Sequence, residues 1–152
     1  MDEAAYTRLT HDLTLAAAHA LLEHSPQAAF CYVSGQGTDA TERSRMMWAR
    51  VKGRTENELL RLPFRGVWLF RPGLIQPLRG VRSRTQLYQA FYTILGWALP
   101  GLRWLAPGQI TTTVDVGLAM LRAAREGAPQ PVLEPRQINE LAAQERASRQ
   151  GE

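Results

Sequence analysis

One lysine, Lys52, stands in this chain against seventeen arginines. A lysine ammonium is compact, carries three donors and shifts its pKa readily on burial, whereas a guanidinium is a planar fork that stays charged. A chain that uses arginine for every other basic side chain marks position 52 as one where a guanidinium does not serve. Ser34 closes the apolar run Ala28-Ala29-Phe30-Cys31-Tyr32-Val33, and its hydroxyl can donate or accept. Trp48 precedes Lys52 by one helical turn, with an indole N–H that donates but cannot exchange a proton near neutral pH. Pro72-Gly73 closes a second apolar run. The competing readings of these residues are a solvated helix lysine, a turn serine and a plain strand terminator.

Other reactive side chains offer less. His11, His19 and His24 fall on one helix with no convergent carboxylate or cysteine spacing, so no metal site is expected there. Cys31 is the sole cysteine, which rules out an internal disulfide and a thiolate metal cluster. It reads as a small hydrophobe in a strand, suited to a reducing cytoplasm. Asp39 and Glu42 flank the cleft that Ser34 and Lys52 would line, and helix capping explains them equally well.

The elements that must position these residues follow from periodicity. Residues 3–24 read as an amphipathic helix, with Leu9, Leu13, Ala16, Ala17, Ala20 and Leu21 at helical spacing and His24-Ser25-Pro26 as its end. Residues 28–34 form an almost wholly apolar strand, the pattern of a parallel strand covered on both faces. A loop with turn and cap residues follows, then a helix over about 43–61. Gly66 to Arg71 is a second strand, stopped by Pro72-Gly73. Residues 74–84 read as loop and 85–105 as helix broken at Pro100-Gly101, so 74–113 is expected to be a helical substrate lid. Within it, Trp97 and Trp104 would line an apolar surface. Thr113 is the expected N-cap of a helix over 114–126, residues 130–134 a third strand, and residues 136–149 a terminal helix. Strands alternating with helices argue for α/β architecture with a parallel sheet of about three strands.

Bulk properties narrow the classes. At 152 residues the chain is one domain with room for a core. Its formal charge is +4, but the arginines are scattered, with no basic run and no basic face interleaved with aromatics. Nucleic-acid binding is therefore not expected. The opening Met1-Asp2-Glu3-Ala4-Ala5 is acidic and does not read as a signal peptide, so the expected location is cytoplasmic. The apolar stretch 87–106 approaches spanning length, but Gln89, Arg103 and Pro100-Gly101 interrupt it. A membrane partner is not expected, and interfacial association through this stretch is the weaker alternative.

Val33-Ser34-Gly35, Trp48-Ala49-Arg50-Val51-Lys52 and Arg71-Pro72-Gly73, in that order, resemble the short-chain dehydrogenase/reductase superfamily. The nearest group is its atypical NAD(P)-binding, NAD-dependent epimerase-like members. The resemblance covers almost the whole chain but corresponds to the C-terminal part of such an enzyme. It implies a Rossmann-like doubly wound sheet and an NAD or NADP cofactor acting on a small carbonyl, alcohol or sugar-like substrate. It also implies catalytic roles for Ser34, as holder of the substrate oxygen, and for Lys52. Lys52, Pro72 and Gly73 become cofactor-binding residues, on the nicotinamide ribose and the nicotinamide ring.

Two departures limit what the resemblance implies. Trp48 stands where the family's proton-transferring tyrosine belongs, with Tyr88 or Tyr92 as distant substitutes. No G-x-x-G-x-x-G or G-x-G-x-x-G phosphate loop occurs anywhere in the sequence. The expectation is a fragment or remnant that is not catalytically competent by itself, and strand 28–34 should then have an open edge. The alternative is a dimerising or partner-binding module, with helices 3–24 and 43–61 as a homo-oligomer interface.

Overall fold

The computed structural model describes residues 1–76 and 109–151. The opening helical segment comprises α1 (Glu3–Thr7), a π-helical turn (Arg8–Asp12) and α2 (Leu13–His24). There follow β1 (Ala29–Val33), α3 (Met47–Leu59), β2 (Gly66–Phe70), β3 (Leu74–Gln76), β4 (Ile110–Thr112), α4 (Thr113–Glu126), β5 (Val132–Leu133) and α5 (Pro135–Gln150).

The chain is α/β, with flanking helices on a small parallel sheet ordered β1-β2-β5. Ala29 pairs with Gly66 and Val33 with Phe70 along β1 and β2, and Leu69 and Phe70 pair with Val132 and Leu133. Alternation along β2 sends its side chains to two cores. Val67 and Leu69 pack with Ala18 of α2 and Leu59 of α3, beside Phe30 and Tyr32. Phe70 packs on the other side with Val116, Ala119 and Ala123 of α4 and Ile138, Leu141 and Ala142 of α5. Helices cover both faces, which is why β1 and β2 are continuous apolar runs rather than alternating ones. Among the described residues no strand pairs with the outer edge of β1.

Several expectations need correction. Leu74–Gln76, read as loop, is a strand that pairs in parallel with Ile110–Thr112 in a second, two-stranded sheet, so the expected lid region 74–113 begins and ends in sheet. Its interior, with Tyr88, Tyr92, Trp97, Trp104 and the apolar stretch 87–106, lies outside the described residues. The N-cap of α4 is Thr112, not Thr113, and it forms a reciprocal capping box with Asp115. Helix α3 starts at Met47, because the Asp39 carboxylate holds residues 41–44 in a loop and the Ser44 hydroxyl accepts from Met46 N–H. In the opening helix, Leu9 and Leu13 are 60% and 63% exposed, and it is Ala18 that is buried. The small residue lets the helix approach Leu59 and Leu69, leaving the leucine stripe outside.

Candidate functional site

The C-terminal ends of β1 and β2 gather the residues singled out in the sequence. Ser34 leaves β1 with all three of its polar groups engaged. Its N–H donates to the Phe70 carbonyl (2.9 Å), Lys52 Nζ donates to its carbonyl, and its hydroxyl donates to Glu56 Oε1 (2.5 Å). Lys52 and Glu56 sit one turn apart on α3, so both reach the same strand end. Glu56 is buried and also grips Arg71, which follows β2: Arg71 Nε lies 3.1 Å from Oε1, and Arg71 Nη2 meets Oε2. The guanidinium reaches on to Glu134 at 3.5 Å, at the start of α5. This bidentate pairing raises the Arg71 pKa and keeps Glu56 in a charge-assisted bond.

The loop after Ser34 closes over this network. Gln36 N–H donates to the Pro72 carbonyl (2.9 Å), and its side-chain Nε2 donates to Gln109 Oε1 (3.1 Å). Gly73 lies beneath them, where a Cβ would come within 2.8 Å of both Gln109 O and Gln36 Oε1. Gly37 has φ +87°, and a Cβ there would meet Trp48 Cη2 at 3.3 Å, so the indole packs against the loop. Asp39 ties the rest of the loop by accepting from the Thr41 hydroxyl and from the N–H groups of Thr41, Arg43 and Ser44. The bonds from Thr41, chiefly its hydroxyl, bring the Asp39 pKa down to about 2. Capping does not explain Asp39 and Glu42, since the N-cap of α3 is Met46; Glu42 instead binds Arg54 and Asn57.

Ser34, Lys52, Pro72 and Gly73 therefore lie in one neighbourhood, with Trp48 at its loop side. Lys52 is half-buried, and burial lowers its pKa against the opposing field of Glu56. Among the described residues the ammonium has one hydrogen-bond acceptor, which leaves two donors for a ligand. The Ser34 hydroxyl proton is directed at Glu56. Tyr32 offers no proton shuttle at neutral pH, because burial pushes its phenol up to about 12. Glu56 and Arg71 are the site residues that the sequence did not single out. The available signal was the i,i+4 spacing of Glu56 from Lys52, which puts a carboxylate on the same helix face.

Among the described residues, no group of three or more His, Cys, Asp and Glu side chains could hold a metal ion. No described helix is long and apolar enough to cross a membrane. The chain is thus an α/β protein with a polar cluster at the carboxyl end of a parallel sheet. No protein-family model matches the chain, and comparison with curated proteins finds no match either.

Proposed function

We propose that this chain carries the nicotinamide–ribose side of a Rossmann-like, NAD(P)-binding site of the short-chain dehydrogenase or epimerase-like kind. It would not be catalytically competent by itself. The observation that carries this reading is the half-buried Lys52 ammonium, held on the Ser34 carbonyl at the carboxyl end of a parallel strand, with two donors that meet no acceptor among the described residues. Open α/β sheets bind ligands at that end of their strands. Lys52 would hold the ribose hydroxyls, and the Pro72-Gly73 turn would border the ring, after displacement of the Gln36 carboxamide that lies over Gly73. The bound cofactor would supply hydride chemistry. Trp48 cannot transfer the substrate proton, and the sequence has no glycine-rich loop for the pyrophosphate. That part of the binding surface must come from polypeptide other than these residues. Calorimetric titration with NADH and NADPH tests the reading. Saturable binding that is lost in Lys52→Ala supports it, binding that survives in Lys52→Ala overturns it, and no binding by the unaltered chain rules out a cofactor role for this chain by itself.

A second reading, a homodimer through the opening helical segment and α3, is favoured by the outward stripe of Leu9, Leu13 and Leu21, with Met46 and Leu60 also exposed. Sedimentation velocity decides it: a concentration-dependent dimer weakened by Leu9→Ser/Leu13→Ser is expected, and a monomer throughout would reject it.

A further inference from the structure

The opening helical segment contains an arrangement that the candidate site does not use. His11 lies in the π-helical turn between α1 and α2, and such turns are rare and concentrate at functional positions. Its ring is 14% exposed. Nδ1 lies 2.8 Å from Asp12 Oδ1, and Nε2 lies 3.1 Å from Glu58 Oε1 of α3. Nε2 has no well-aligned hydrogen bond, so its interaction with Glu58 is a charge contact.

A neutral imidazole has one N–H and one lone pair, while an ionised carboxylate only accepts. Either neutral tautomer therefore turns a lone pair toward one of the two carboxylates. The imidazolium satisfies both.

We propose that His11 is a proton-operated clamp: its imidazolium pins the opening helical segment to α3, and deprotonation loosens that attachment. Helix α3 carries Lys52 and Glu56, so the clamp acts on the element that positions the candidate site. The inference stands independently of any cofactor.

The surrounding charges leave this pairing intact. Asp12 faces the ring from its own turn and Glu58 from α3. On α1, Asp2 is occupied in capping Ala5 N–H, and Glu3 pairs with Arg50 of α3 at 2.6 Å. Arg8, and His19, Glu23 and His24 of α2, are exposed. Burial disfavours the charged ring, but the hydrogen bond to Asp12 and the close negative charges of Glu58 and Asp12 outweigh it and hold the His11 pKa above the ordinary 6.5. A raised folded-state pKa gives stability that is fully present below 6.5 and is lost as pH rises through the folded value.

Two measurements test the clamp. One is an NMR titration of the imidazole ring protons, assigned with His11→Gln, His19→Gln and His24→Gln. The other is thermal unfolding of the unaltered chain and His11→Gln from roughly pH 5 to roughly pH 9. A His11 midpoint above 6.5 is expected, with a Tm advantage over His11→Gln that is present in acid and fades through that midpoint. Glu58→Gln keeps the ring and removes one carboxylate, and should lower the midpoint; this comparison decides the matter if His11→Gln does not fold. A midpoint at or below 6.5, the same pH slope in His11→Gln, or an unmoved midpoint in Glu58→Gln would overturn the clamp.

Discussion

The Ser34 hydroxyl lies 2.5 Å from Oε1 of Glu56, a buried carboxylate that also grips the Arg71 guanidinium. The contact joins the end of β1 to α3 and, through Arg71, to the end of β2. Removing one member of a buried pair costs about 3–5 kcal/mol, and Arg71 would then keep, among the described residues, only the more distant Glu134, at 3.5 Å. Glu56→Ala should lose that much stability in denaturant unfolding, and Glu56→Gln, which keeps the shape, should lose less. A loss below about 1 kcal/mol in Glu56→Ala would mean that the network does not hold these strand ends together.

Gly53 supplies a test in which two effects have opposite signs. Helix propensity alone favours Gly53→Ala by about 1 kcal/mol. A Cβ at position 53, however, would lie 1.8 Å from the Asp39 carbonyl oxygen, a backbone atom fixed in the loop over the site. Relieving that overlap requires loop or helix to move, at about 1–3 kcal/mol or more. The expected outcome is net destabilisation, read as a lower unfolding midpoint. A stabilised variant would show that α3 and the loop are not in this close contact.

How far the sequence reached depended on the kind of signal. Residues 29–33 and 66–70 were legible as strands because each is an unbroken apolar run, with helices packed on both sides of β2. The β3–β4 sheet was not legible: three residues per strand is too short for a pattern, and Thr111-Thr112-Thr113 looks equally like a loop and a cap. Periodicity in the opening helix located an apolar stripe but not its direction, and the close packing of Ala18 turned Leu9 and Leu13 outward. At the site, Ser34, Lys52, Pro72 and Gly73 could be chosen by type and order. Glu56 could not, because a helix carboxylate ordinarily reads as solvated, and its partners Ser34 and Arg71 are brought to it by tertiary packing.

Cys31 should be chemically quiet. Burial against α4 pushes its thiol up to about 11, so at pH 8 only about one part in a thousand is thiolate. Alkylation by iodoacetamide in the folded state should run on the order of a hundredfold slower than for an unhindered cysteine peptide, with recovery of the rate in denaturant. Rapid modification of the native chain would place Cys31 outside the core.

The start of α4 gives a prediction in which stability and pH are linked. Thr112 Oγ1 accepts from Asp115 N–H at 3.1 Å, and the Asp115 carboxylate accepts from Thr112 N–H at 3.1 Å and also binds Arg146 of α5. Burial raises the Asp115 pKa, but the bonds from Thr112 and Arg146 outweigh it and bring the value below the ordinary 3.8. A depressed carboxylate pKa gives stability that is present above 3.8 and is lost as pH falls through the folded value. Thr112→Ala should cost about 1 kcal/mol at neutral pH. Its deficit should shrink in acid, because Asp115 is then protonated in both proteins and the cap is already weakened. Chemical unfolding of the two proteins across the acid range reads this convergence. A deficit that stays constant through the Asp115 titration would mean that Thr112 acts independently of that carboxylate.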